Sequence, residues 1–152
     1  MGKSWFGTQS APKPYTGPRV VESGVFDLGI TGPQAIALLT TAPGLAQWLA
    51  TPTRFAAGRG ATIEFLDGDE TFGGSFALLD IPDRVVIVTE RHGEIEVRLA
   101  FRHAPVRATV TMTCVAKDDR EAAVIAVRLR ETMARLGTAM RDEPTSSVDA
   151  PA

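Results

Sequence analysis

The sequence has only one cysteine, Cys114, and two histidines among its 152 residues. A lone thiol excludes an intrachain disulfide, and its apolar, β-branched surroundings are typical of a buried and unreactive cysteine. No segment approaches the ~20 consecutive apolar residues of a membrane span. The net charge is −2 with acids and bases interspersed. Because a nucleic-acid site needs clustered basic residues, we expect no nucleic-acid partner.

The two ends of the chain differ in composition from the middle. Residues 1–18 contain Pro12 and Pro14 and lack the ~7–15-residue apolar run of a signal peptide. Residues 142–152 have too little apolar content to offset the entropy of ordering. We therefore predict mobile tails at 1–18 and 142–152, one domain at 19–141, and a cytoplasmic location.

The first half of this domain predicts one strand and two short helices. The strand is expected at 20–30, with Val21, Val25 and Phe26 as its apolar content. A first helix follows at 34–39, after a proline suited to the first helical position. A second helix runs from Thr41 to Leu49 and ends before Pro52.

From residue 61 onward the hydrophobic period becomes two, which predicts five consecutive strands joined by short turns. The clearest strand is 94–101, where Ile95, Val97, Leu99 and Phe101 alternate with polar or small residues. Short turns between alternating strands favour an antiparallel meander with one apolar face. Within it, Gly73 and Gly74 suggest a bulge or a close backbone approach.

The last element has helical periodicity. Asp118 and Glu121 have the spacing of a capping box. Apolar residues then recur every three or four positions, at Ala122, Ile125, Leu129, Met133, Leu136 and Met140. This amphipathic helix can lie in the hollow of a twisted sheet, so the sequence predicts an α+β domain with a curved antiparallel sheet of about six strands around it.

The order of these elements resembles the START-like (SRPBCC) superfamily, in particular the branch named after the C-terminal domain of the Hsp90 ATPase activator (AHSA1-like). The resemblance covers roughly residues 20–140. It is carried by Trp48 after the second short helix, by Gly-Gly-Ser-Phe at 73–76, by Ile-Pro-Asp-Arg-Val-Val at 81–86, and by the last helix. Where members often have a second tryptophan early in that helix, this sequence has Ile125. The resemblance implies a helix-grip fold with a cavity between sheet and helix, whose members bind hydrophobic ligands, act as polyketide cyclases or aromatases, or bind a chaperone.

The inward apolar residues have two interpretations: a plain core, or the lining of that cavity. On the second interpretation an apolar or aromatic small molecule is held between sheet and helix. The expected ligand-binding residues are Trp48, Phe65, Phe72, Phe76, Leu78, Val97, Leu99, Phe101, Val110, Met112, Leu129 and Met133. Trp48 is either a packing anchor or a residue at the cavity mouth with its N–H available to a ligand.

Catalytic signals are weak. His92 and His103 lie beside predicted turns, where a surface position is the ordinary interpretation, and no acid or cysteine stands at a metal-ligand spacing from them. The acids around Gly68 lack the spacing of a calcium loop. We expect neither metal nor cofactor, and the catalytic residues stay unknown. Three functions remain open: ligand binding, a cyclase- or hydrolase-like enzyme using a histidine or a buried acid, and a module that binds a protein partner or a second copy.

Overall fold

The computed structural model describes residues 17–56, 58–102 and 104–141. The predicted C-terminal tail lies outside these residues, as does the predicted N-terminal tail up to residue 16. The elements, in chain order, are β1 (Arg19–Asp27), α1 (Gly32–Thr40), α2 (Ala42–Trp48), β2 (Thr51–Arg54), β3 (Thr62–Asp67), β4 (Glu70–Asp80), β5 (Arg84–Thr89), β6 (Gly93–Ala100), β7 (Arg107–Val115) and α3 (Asp119–Arg141).

The strands form one antiparallel sheet in the order β1-β7-β6-β5-β4-β3-β2. The predicted α+β class, with a long C-terminal helix and two short helices after the first strand, is confirmed. The sheet has seven strands rather than about six, because the four residues 51–54 add a short edge strand paired only with β3. An edge position tolerates Pro52, which cannot donate a ladder hydrogen bond on a central strand.

Side chains cap the N-terminal ends of α1 and α3. Thr31 and Gln34 form a capping box at α1, with reciprocal bonds of 3.2 and 2.9 Å. At α3, the Glu121 N–H donates to Asp118 Oδ1 at 2.8 Å, as the sequence predicts. The return bond to Glu121 comes from the Lys117 N–H instead of the Asp118 N–H. Each cap satisfies helix N–H groups that have no partner inside the helix.

In two strands the structure decides side-chain directions that the sequence pattern does not show. In β1, Val21 and Val25 are exposed on the outer face, and it is Val20 and Phe26 that pack against the core. Two adjacent apolar pairs, 20–21 and 25–26, leave the inward parity of this strand ambiguous in the sequence.

The second case is a bulge in β4. The register with β5 shifts between Phe76 and Leu78, so Leu79 packs against the core and Leu78 does not belong to it. The bulge therefore lies beyond the two glycines. Gly74 instead allows a close approach, because a Cβ there would meet the Val88 carbonyl oxygen at 2.8 Å.

The core lies between the concave face of the sheet, α3 and the two short helices. The inward residues of β6 and β7 alternate as predicted, and the α3 stripe from Ile125 to Met140 is buried in the same core. This arrangement leaves the N-terminal half of α3 beside the turns at one end of the sheet, where the main cleft forms.

Candidate functional site

The main cleft has a volume of about 670 Å³ and lies between α3, the end of α2, and the β3–β4 and β5–β6 turns. Its wall on α3 consists of Val124, Val127, Arg128, Glu131 and Arg135. The opposite walls are formed by residues 46–51, 66–68, 91 and 92. Four segments that are distant in sequence thus build one concave surface.

His92 is part of this wall and is only 3% exposed, so the expected surface position for this histidine is wrong. The reason is the β5–β6 turn. Gly93 has φ +70°, and a Cβ there would meet the Thr113 carbonyl oxygen at 2.3 Å, so the turn requires glycine. That tight turn packs the His92 ring beside Phe72, with 5.6 Å between ring centroids.

Thr89 holds the His92 ring. Its Oγ1 accepts the His92 backbone N–H at 2.8 Å and lies 2.9 Å from Nδ1. Since the Thr89 hydroxyl has no other acceptor among the described residues, we assign its proton to a bond with Nδ1. A neutral ring then carries its own proton on Nε2, which has no hydrogen-bond partner within the described part of the chain.

The charge state of His92 follows from its surroundings. Burial, and then the positive charges of Arg128, Arg91 and Arg135, lower the pKa of His92 from 6.5 to about 3, against a small opposing effect of Asp67. The imidazole is therefore neutral at physiological pH. A base this weak accepts protons poorly near neutrality, but its Nε2–H can still donate.

Three arginines border the cleft in different ways. Arg91 Nη1 lies 3.0 Å from Asp67 Oδ2 and 3.5 Å from Glu70 Oε1. Arg128 donates from Nη1 to the Arg91 carbonyl oxygen at 3.1 Å. Arg135 donates from Nε to the Trp48 carbonyl oxygen at 3.1 Å. Within the described residues, neither of these two α3 arginines has a carboxylate within ion-pair distance.

Trp48 lines the cleft but is a packing residue. Its indole N–H donates to the Leu38 carbonyl oxygen of α1 at 2.8 Å, and the side chain is buried. The N–H that the sequence left available to a ligand is therefore used to join α2 to α1.

None of the other expected ligand-binding residues lines this cleft. Phe101 is partly buried against the core, and Leu78 lies outside it because of the β4 bulge. The remaining members belong to one buried cluster: Phe65, Phe72, Phe76, Val97, Leu99, Val110, Met112, Leu129 and Met133. Their role in ligand binding stays a prediction, and their packing matches the plain-core interpretation.

The cleft residues that the sequence did not indicate include Leu66, Arg91, Val124, Val127, Arg128 and Arg135. One signal was present for two of them. Val124 and Val127 are apolar helix residues outside the predicted stripe, on a face that an amphipathic helix normally leaves polar.

A second cleft, of about 600 Å³, shares Arg91, Val124 and Arg128 with the main cleft. Its lining also includes Cys114, Lys117 and Glu121. Cys114 is buried, as predicted, and burial raises the pKa of its thiol. A protonated thiol is a poor nucleophile, so this cleft offers no reactive group at Cys114.

The remaining candidates do not form sites. In residues 17–56, 58–102 and 104–141, no three side chains of His, Cys, Asp or Glu cluster as metal ligands. His103 lies outside the described residues. The outer face of the sheet carries Glu94, Arg98 and Arg107, all exposed, beside a cluster in which Arg84 and Arg98 both contact Glu96. These charged side chains weaken the case for an apolar protein-docking surface around them.

Comparison with known proteins defines the fold. No protein-family model matches the sequence, and no curated protein matches it either. Solved structures do match. The Aha1 dimer from Colwellia psychrerythraea has 18% identity and a TM-score of 0.60, over 82% of this chain and 96% of that chain. The AHSA1-like protein from Aeromonas hydrophila has 16% identity and a TM-score of 0.59, over 79% of this chain and 91% of that chain. CalU16 from Micromonospora echinospora has 14% identity and a TM-score of 0.58, over 84% of this chain and 78% of that chain.

This chain has a helix-grip fold like that of these AHSA1-like structures, which agrees with the START-like (SRPBCC) resemblance of its sequence. Identities of this size establish the fold alone. In the described part of the chain, no helix is both long and apolar enough to cross a membrane.

Proposed function

We propose that the chain binds a small molecule with an apolar or aromatic body in the main cleft. The observation that carries the proposal is the position of exposed apolar side chains. Seven large ones are exposed among the described residues, and three of them line the main cleft: Leu66 (36% exposed), Val124 (54%) and Val127 (45%). Val124 also lines the second cleft. Apolar groups exposed on a concave surface are stabilised when a ligand covers them.

The dimensions and position of the cleft support the proposal. Its volume of about 670 Å³ lies within the range of small-molecule sites. It lies at one end of the sheet, beside α3, while the space directly beneath the sheet is occupied by core side chains. The proposed site is therefore displaced from the interior cavity that the family resemblance implied.

The test is a fluorescence titration with the neutral probe N-phenyl-1-naphthylamine. The double variant Val124→Thr, Val127→Thr keeps side-chain shape but replaces two methyl groups by hydroxyls. At ~0.8 kcal/mol for each apolar carbon that the ligand covers, we expect affinity to fall about tenfold. Val21→Thr, Val25→Thr is the matched control, because these valines are more than half exposed on β1 and lie outside the cleft.

Equal losses in the two double variants would mean that the probe binds elsewhere. The proposal would also be wrong if neither the probe nor a panel of lipids, aromatics and polyketide-like compounds bound or shifted the melting temperature. A structure with the ligand bound elsewhere and the cleft empty would also show that the proposal is wrong.

A cyclase-like activity is a second candidate, favoured by the presence of a neutral, buried His92 in the cleft wall. Its Nε2–H could stabilise an enolate oxygen as negative charge develops there. The test is cyclisation of a linear poly-β-ketone mimic by the wild type and by His92→Phe. Identical rates, or no conversion by the wild type, would exclude this role.

We also propose that the chain self-associates through the β1 edge of its sheet. The matching Colwellia structure is a dimer of that protein. Here β1 forms one edge of the sheet and exposes Val21 and Val25. An unpaired edge can add a strand from a second copy. Sedimentation velocity should then show a dimer that Val21→Lys, Val25→Lys converts to a monomer, whereas a monomeric wild type would refute the proposal.

A further inference from the structure

Arg128 and Arg135 provide hydrogen-bond donors at the main cleft. They lie two helical turns apart on α3 and so share one face of the helix. Arg128 uses Nη1 to bind the Arg91 carbonyl oxygen, and Arg135 uses Nε and Nη2 to bind the Trp48 carbonyl oxygen and Thr132 Oγ1. A guanidinium has five N–H donors, so both arginines keep donors for another acceptor.

The acids of the cleft do not neutralise these two side chains. Asp67 is paired with Arg91. Glu131 lines the cleft between Arg128 and Arg135 in sequence, yet it makes no ion pair within the described residues. The lining thus contains three arginines and two acids, and the positive charge of Arg128 and Arg135 is held in place by backbone carbonyls rather than by carboxylates.

His92 supplies an independent sign of a ligand. The side chain is almost completely buried in the cleft wall, and its Nε2–H has no partner among the described residues. A buried donor without an acceptor has a cost in stability, and a bound acceptor removes that cost. Nδ1 binds Thr89, so Nε2 lies on the far side of the ring from that residue.

The backbone joins His92 to Arg128. The carbonyl oxygen that accepts the Arg128 bond belongs to Arg91, the residue immediately before His92. The Arg128 guanidinium is therefore bound to the β5–β6 turn that also carries the His92 imidazole. Val124 and Val127 lie one turn and one residue before Arg128 on α3, so apolar surface adjoins these donors.

We propose that the ligand of the main cleft is an amphipathic carboxylate, whose carboxylate oxygens accept hydrogen bonds from Arg128 and from His92 Nε2. Arg135 adds a second positive charge, and the apolar body covers Val124 and Val127. This inference rests on the proposed function and names the ligand class. Planar carboxylates match the paired donors of arginine, and a neutral imidazole donor adds no repulsion between cations.

The experiment compares 2-naphthoate with 2-naphthamide, a neutral molecule with the same ring system, by isothermal titration calorimetry on the full chain. We expect naphthoate to bind at least about tenfold more tightly, as charge-assisted hydrogen bonds require. Arg128→Gln should weaken naphthoate about tenfold and leave naphthamide within about twofold. Arg130→Gln is the matched control, since Arg130 is exposed on the same helix and outside the cleft lining.

The outcomes separate the two proposals. Equal affinities for naphthoate and naphthamide, or equal effects of Arg128→Gln and Arg130→Gln, overturn the carboxylate inference while leaving apolar binding intact. Absence of binding by naphthoate, naphthamide and N-phenyl-1-naphthylamine overturns both. His92→Phe provides a second variant: it removes the Nε2 donor but keeps an aromatic ring, and we expect it to reduce the preference for naphthoate. A preference unchanged by His92→Phe excludes His92 from the site.

Discussion

The buried, neutral state of His92 makes the native protein sensitive to mild acid. In the unfolded chain the imidazole has its ordinary pKa of 6.5, whereas in the folded chain the pKa is about 3. Between these values the unfolded state binds a proton that the native state excludes. The contribution of His92 to the free energy of unfolding is therefore fully present above pH 6.5 and decreases as the pH falls toward 3.

The magnitude follows from the two pKa values. Lowering the pH from 7.5 to 5 should reduce the free energy of unfolding by about 2 kcal/mol through His92 alone. The reduction approaches about 4–5 kcal/mol near pH 3, where the native ring begins to take up a proton. Three arginines around the ring keep this cost high, since a protonated imidazole would join their positive charges.

The assay is urea unfolding at pH 7.5, 6 and 5 for the wild type and for His92→Gln. All other ionisable groups are common to the two proteins, so the difference between the two pH dependences isolates His92. We expect the wild type to lose about 2 kcal/mol more than the variant between pH 7.5 and 5. Parallel curves, or an NMR titration of His92 with a midpoint near 6.5, would refute the reasoning.

Three further predictions concern single side chains. Cys114 should react slowly with a thiol reagent in the native state and at the rate of a free thiol after unfolding; a fast native reaction would contradict the raised pKa and burial. Gly93→Ala should destabilise the protein by more than about 2 kcal/mol because of its positive φ and a clash with a carbonyl oxygen. Gly68 has φ +67° but open space around it, so Gly68→Ala should cost only about 1 kcal/mol. Equal melting temperatures of the two variants would contradict this prediction. Trp48→Phe should cost about 1–3 kcal/mol in chemical unfolding, since it leaves the Leu38 carbonyl without its indole donor; no loss would show that water replaces the bond.

Much of the fold was predictable because its information is local. Ile95, Val97 and Leu99 are all buried, as strict alternation in β6 requires. The α3 stripe is equally regular. Periodicity fails where it is interrupted: the extra residue near Ala77 displaces Leu78 from the core, and no local pattern in β4 marks its position.

The cleft was far less predictable. Its position depends on which loops lie beside α3, and the pairing of the strands determines this rather than any one segment of the sequence. His92 illustrates the difficulty: a His-Gly pair indicates a turn, but the inward position of the ring depends on the contact of Gly93 with β7 and on Thr89. Arg128 resembles any solvated helix arginine until the Arg91 carbonyl is seen opposite it.

The sheet order has a consequence for how the chain reaches this structure. The strands β2 to β7 pair with their neighbours in sequence, so they can assemble as successive hairpins while the chain is being synthesised. β1 cannot, because it pairs with β7 and joins Arg19 to Val115. The helix that covers the sheet follows β7, and α1 and α2 also pack on that helix. A ribosome-bound chain must therefore keep its first strand unpaired until the last strand emerges. The two short helices can contact each other and β2 earlier, but they lack α3 until that helix is synthesised. Exposure to chaperones or proteases during translation should fall on this early segment, and the main cleft forms only when synthesis of α3 is complete.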